Sequence, residues 1–171
     1  EDKVIAPTGV LANSAAKIIM KIYWTARVTR LDLLRAIGFL ACHLTKWDTD
    51  CDRRLHRLVS YLNCTRDYRL TGWVSSSPAK SALHLYSDAD FGGCQRTNKS
   101  TTGVFMSIEG DGTLLPIAAI SKRQSCVSHS TPEAEIVAGA HALRQAGLPG
   151  QVFWDTIYRL HANPDSTDTV S

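Results

Sequence analysis

An α+β fold is predicted by three features of the sequence. The first half carries apolar positions at helical spacing, the middle carries strand-like runs around a Glu-Gly-Asp-Gly turn, and the last third returns to helix. The order is a helix pair, a linker, three antiparallel strands and two helices. A chain of 171 residues is long enough for one domain, or a domain with an extension.

Each element has a local reason. Residues 1–22 show no clear period, and Pro7-Thr8-Gly9 is turn chemistry, so an extended N-terminal segment is expected. Residues 23–74 read as a helical region. Leu33, Leu34, Ile37, Leu40, Ala41 and Leu44 share one helical face, with Thr29 and Asp32 as a start signal. A second helix follows Asp48-Thr49-Asp50, with Cys51, Leu55, Leu58 and Leu62 inward. Residues 75–82, opened by Ser75-Ser76-Ser77-Pro78, read as a linker.

Leu83 to Phe91 alternates like a strand, with Leu83 and Leu85 on one face and His84, Tyr86, Asp88 and Asp90 on the other. Gly103–Ile108 and Leu114–Ile120 are two more strands, joined through Glu109-Gly110-Asp111-Gly112. Ser130-Thr131-Pro132-Glu133 starts a helix that Gly147-Leu148-Pro149-Gly150 is expected to stop near Ala146. A shorter helix, Val152 to Leu160, follows. Residues 83–161 thus form one domain, and 162–171 a polar tail.

Composition excludes several classes. At 44% hydrophobic and 20% charged, the chain is neither disordered nor collagenous. No apolar run reaches the length of a membrane span. Five cysteines without a C-x-x-C pair argue against a disulfide framework or a cysteine zinc site, so an intracellular, reducing compartment is expected. A first residue of Glu1 suggests a processed product or a fragment. Residues 1–83 hold 13 Lys and Arg against 7 Asp and Glu, whereas residues 84–171 hold 6 against 9. A basic half beside an acidic half suits a nucleic-acid handler with a carboxylate site, and also many ordinary proteins.

The chemistry-bearing residues are few. Asp88 and Asp90 lie two apart on a strand, so both carboxylates share a face and suit a hard divalent cation such as Mg²⁺. Spacing alone favours a plainer reading, a solvated strand end leading into Gly92-Gly93. Glu135, Gly139 and Ala142 form a stripe that lets a helix approach a strand and hold a carboxylate over it; a helix-dipole role for Glu135 stays equally open. Arg53, Arg54 and Arg57 could track phosphates, as could Lys122 and Arg123, although a charged helix face is more often simply solvated.

Taken in order, these segments resemble a known pattern. The runs YSDADFGGCQRTNKSTTGVFMSIEG and ISKRQSCVSHSTPEAEIVAGAHAL resemble the ribonuclease H domain of copia-type retrotransposon polyproteins. The stretches TARVTRLDLLRAIGFLACHL and DRRLHRLVSYLNCTRDYRL resemble the segment that joins reverse transcriptase to that domain. The resemblance covers roughly residues 20–160 and implies a partial ribonuclease H-like fold that lacks the later strands. It implies a Mg²⁺-dependent nuclease for RNA–DNA hybrids, with Asp88 and Glu135 as the first two of four metal-binding carboxylates and Asp90 beside them.

The departures matter. Asp155 falls in a helical segment, Asp165 and Asp168 in an aperiodic tail, and none matches the third carboxylate. Leu31 replaces the family's proline, and Phe91 its tryptophan. The expectation is therefore a catalytically incomplete module with residual nucleic-acid affinity, or a domesticated structural subunit of a larger assembly. The resemblance also implies that strand 83–91 has an open edge, which a protein partner would cover.

Overall fold

The computed structural model describes residues 7–75, 77–94 and 97–162. Expectations for residues 1–6 and for the tail beyond Ala162 lie outside them. The chain forms two compact units, Glu1–Leu70 and Thr71–Ser171.

The first unit is helical. Helix α1 spans Ala12–Val28, most of it within the segment expected to be extended. Its buried positions, Ala15, Ile19 and Ala26, do follow helical spacing. Met20, Trp24 and Val28 are exposed on the same helix, and these outward apolar residues blur the period in the sequence. Thr29 ends α1 rather than starting the next helix: its N–H and hydroxyl both donate to the Thr25 carbonyl. A single 3₁₀ turn, Leu31–Leu33, leads into α2, Leu34–Ala41. Helix α3 spans Thr49–Cys64, and the Asp48 carboxylate accepts the Cys51 N–H at 2.9 Å as its N-cap. Ile19, Leu33, Ile37, Leu40 and Leu55 are the large, fully enclosed side chains here.

The second unit begins earlier than the predicted linker. Trp73 and Leu114 exchange backbone N–H···O bonds at 3.0 and 2.9 Å, and the Ser75 N–H donates to Thr113 Oγ1. Residues 71–74, expected in the helical region, are thus tied to the sheet by main-chain bonds that composition does not encode. Strands β1 (Ser81–Cys94), β2 (Lys99–Gly110) and β3 (Thr113–Arg123) form an antiparallel sheet in that order. Each outruns its predicted bounds. Gly112, at φ +67°, makes the tight β2–β3 turn.

Helix α4 (Thr131–Ala142) starts as predicted, with the Ser130 hydroxyl accepting the Glu133 N–H. Gly147-Leu148-Pro149-Gly150 does not stop the helical path. Leu143–Gly147 forms a wide π-type turn, closed by the Leu148 N–H on the Leu143 carbonyl, and α5 (Leu148–Ala162) continues from it. A proline crowds the carbonyl four residues back, and a widened turn immediately before Pro149 relieves that crowding. The core is Val104, Met106, Ala142 and Ala146, flanked by Leu83, Leu85 and Ile120. Ala89, Ala134 and Ala138 form a second, smaller cluster. No described helix is long and apolar enough to cross a membrane.

Candidate carboxylate site and basic surface

The pairing of β1 with β2 is regular from Ser81 to Asp90, after which it shifts. Leu83, Leu85 and Ala89 pack towards α4 and the turn that follows it. His84, Tyr86, Asp88 and Asp90 therefore leave the sheet on the other face. On that face Tyr86 donates to both Glu109 carboxylate oxygens at 3.1 Å, and Ser107 donates to one of them at 2.5 Å. The Ser107 hydroxyl, with Tyr86, holds the Glu109 carboxyl below its ordinary range.

Asp88 is exposed, opposite Gly103 in the β2 register. The Asp90 carboxylate lies over the following turn, where a Cβ on Gly93 would collide with it. Glu135 sits half-buried on α4, next to the alanine stripe that meets Ala89. The structure thus brings Asp88 and Asp90 to one face and leaves Glu135 on the helix that covers the other. At Gly139 a Cβ would meet only Ser87 Oγ, at an ordinary contact distance of 3.9 Å, so the approach of α4 to β1 there does not depend on the glycine. Among the described residues, no three His, Cys, Asp or Glu side chains are grouped to hold a metal ion.

The basic candidates divide between the units. On α3, Arg53 and Arg54 both bind Asp50, at 3.0 and 2.5 Å, and Arg54 also lies 4.7 Å from the Phe39 ring centre. Arg57 has no carboxylate partner among the described residues. It lines a shallow groove of about 580 Å³ with Leu11, Asp52, Arg53, His56 and Ser60. Asp52 is already committed within that groove: Trp47 Nε1 donates to it at 2.7 Å, as do the Leu11 and Val10 N–H groups, and these bonds hold its carboxyl low. In the second unit Lys122 is exposed, and Arg123 Nη1 reaches Cys94 Sγ at 3.7 Å.

Two residues inside the resemblance motifs have roles that sequence reasoning missed. Arg30 is buried and makes a bidentate pair with Asp32 at 3.0 and 2.9 Å. It also donates to the Thr65 carbonyl and hydroxyl at 2.9 and 2.8 Å, and lies over the Tyr61 and Tyr68 rings. Tyr61 OH adds a bond to Asp32 at 3.1 Å, so one guanidinium ties the start of α2 to the end of α3. Asp32 is held below the usual carboxylate range chiefly by Arg30. Gln124, also buried, donates to Thr102 Oγ1 at 3.2 Å and to the Ala134 carbonyl at 3.0 Å, joining the sheet to α4. Both lie in motifs that the sequence offers, Thr29-Arg30-Leu31-Asp32 and Lys122-Arg123-Gln124, where a polar side chain gives no local sign of a buried link.

No protein-family model matches the chain, and no solved structure matches it. Among curated proteins it is 32% identical over 119 residues to the secreted RxLR effector protein 161 of Plasmopara viticola, covering 70% of this chain and 79% of that one. A secreted relative overturns the intracellular compartment expected from the cysteines. An odd count of free thiols shows that they are not all paired with one another, and does not report the route a chain takes. With that identity over that share of both sequences, this chain belongs to the family of the effector protein.

Proposed function

We propose that the chain is a non-catalytic binding module of the secreted-effector type, built on the first half of a copia-type ribonuclease H-like fold. One observation carries the reading: α4 meets Ala89, the residue between the two aspartates, so Asp88 and Asp90 project away from the helix that bears Glu135. Two Mg²⁺ ions need several carboxylates converging on one point, and aspartates that leave the sheet on the face away from α4 support binding rather than hydrolysis. The three-stranded antiparallel sheet followed by a helix on one face agrees with the proposed ancestry.

Nucleic acid is the ligand class we assign to the helical unit, with Arg57 as the principal phosphate contact and Arg53 beside it. Binding of an RNA–DNA hybrid by the full chain tests this. Arg57→Ala is expected to weaken binding several-fold and to lower the salt slope by about one unit. Asp88→Asn is expected to leave binding intact, with no Mg²⁺-dependent cleavage by either protein. Cleavage of hybrid by the unmodified chain, abolished in Asp88→Asn, would overturn the reading. A second reading, a structural subunit docked to protein, is favoured by a separate observation: β1 pairs on one side only among the described residues.

A further inference from the structure

In the order β1-β2-β3 both outer strands are edges, and they are finished differently. β3 contains Pro116, which has no N–H to offer, and ends in Lys122 and Arg123. Its first residues are occupied by the reciprocal bonds between Trp73 and Leu114. Proline, lysine and a covering segment are the devices that stop an edge from pairing with another chain. β1 has no proline, lysine or arginine, and its pairing with β2 is regular from Ser81 to Asp90.

We propose that β1 is a self-association surface, pairing antiparallel with β1 of a second copy so that Tyr86 lies opposite Tyr86. This rests on the second reading above, that β1 docks a protein, and names the occupant. In a two-fold antiparallel pair one residue opposes itself and its neighbours mirror across it. Centring on Tyr86 sets His84 against Asp88 twice, Ala82 against Asp90, Leu83 against Ala89 and Leu85 against Ser87. The imidazole then meets a carboxylate that is exposed and has no partner among the described residues.

Other registers are poorer. Centring on Asp88 opposes that carboxylate to itself, and centring on Ala89 opposes it to Asp90; like charges directly opposite are destabilising. Centring on Leu85 leaves His84 against Tyr86, with no carboxylate. Centring on Ser87 also gives His84 a carboxylate, Asp90, but its regular overlap runs only from His84 to Asp90 rather than from Ala82 to Asp90. The Tyr86 register combines the longest overlap with an imidazole N–H set against a carboxylate acceptor on each side. Tyr86 itself is 48% exposed, beside the His84 and Phe105 rings, and presents an aromatic surface for the symmetric contact.

The test is sedimentation of the full chain across the micromolar range. A reversible dimer is expected. His84→Asp sets carboxylate against carboxylate twice and is expected to weaken it about tenfold, and the double variant His84→Asp with Asp88→His is expected to restore it. Tyr86→Cys is expected to form a disulfide between copies at position 86, identified by peptide mass spectrometry, whereas Ala82→Cys is not. A dimer indifferent to the charge exchange, or one in which Tyr86→Cys forms no such link, overturns the proposal. So does a monomer, and hydrogen exchange then separates two failures. Fast-exchanging β1 amides leave the edge open to a different protein, and protected ones remove the docking reading as well.

Discussion

The helical unit and the sheet unit are held together by different means. The helical unit encloses large apolar side chains, Ile19, Leu33, Ile37, Leu40 and Leu55, and locks α2 to α3 through a buried guanidinium. The sheet unit joins α4 to its sheet through alanines, with Thr102 and Gln124 buried beside them. Alanine contacts depend on close approach of the backbones, whereas large side chains fill the space between elements set further apart. The second unit leaves one long strand edge, that of β1, unpaired among the described residues.

The strongest way to break this contrast is Arg30→Ala. It leaves Asp32 without its bidentate partner and Thr65 without two donors, and should cost about 3 kcal/mol. Segment-resolved hydrogen exchange in urea checks it: protection should fall in α2 and α3 while the sheet amides keep theirs. In the sheet unit, Ala138→Leu forces a larger side chain between α4 and β1 and should cost about 2 kcal/mol, read as lost protection of β1. Its control is Gly139→Ala. The added methyl finds ordinary contact distance to Ser87 and a better helix former, so stability should hold or rise by about 0.5 kcal/mol.

Acidification separates the units more gently. The folded pKa of Asp32 lies below its ordinary value of 3.8, so its contribution is complete above that pH and is lost as the pH falls through the folded value. Unfolding midpoints of the helical unit should therefore drop below about pH 4, and Asp32→Asn should flatten that limb at a lower overall stability. His141 on α4 gives the smallest effect. Burial, with Lys122 and Arg144 nearby, lowers its pKa below the ordinary 6.5. The unfolded chain takes up that proton first, so the sheet unit should lose a little stability as the pH falls below 6.5, and His141→Gln should remove the dependence.

The α+β class, the three-strand order and the helix starts at Asp48 and Ser130 were legible in the sequence, because a cap or a turn needs particular side chains at particular places. The Asp88–Asp90 pairing on one face was also legible, since alternation is a local property of a strand. The length of α1 was not, because Met20, Trp24 and Val28 place apolar side chains on its outward surface. Nor was the continuous path through Pro149, which depends on a π-type turn that no single residue announces.

What the sequence determined by itself is thus local: element type, strand alternation, caps, and a charge imbalance between the two halves. Tertiary structure alone decided which face of β1 meets α4, and so where Glu135 stands relative to Asp88 and Asp90. It also turned Arg30 and Gln124, each an ordinary polar residue in the sequence, into buried links between elements. The physical reason is range. Caps and alternation act over a few residues, whereas the side of a sheet that a helix covers is set by packing between segments far apart in the chain.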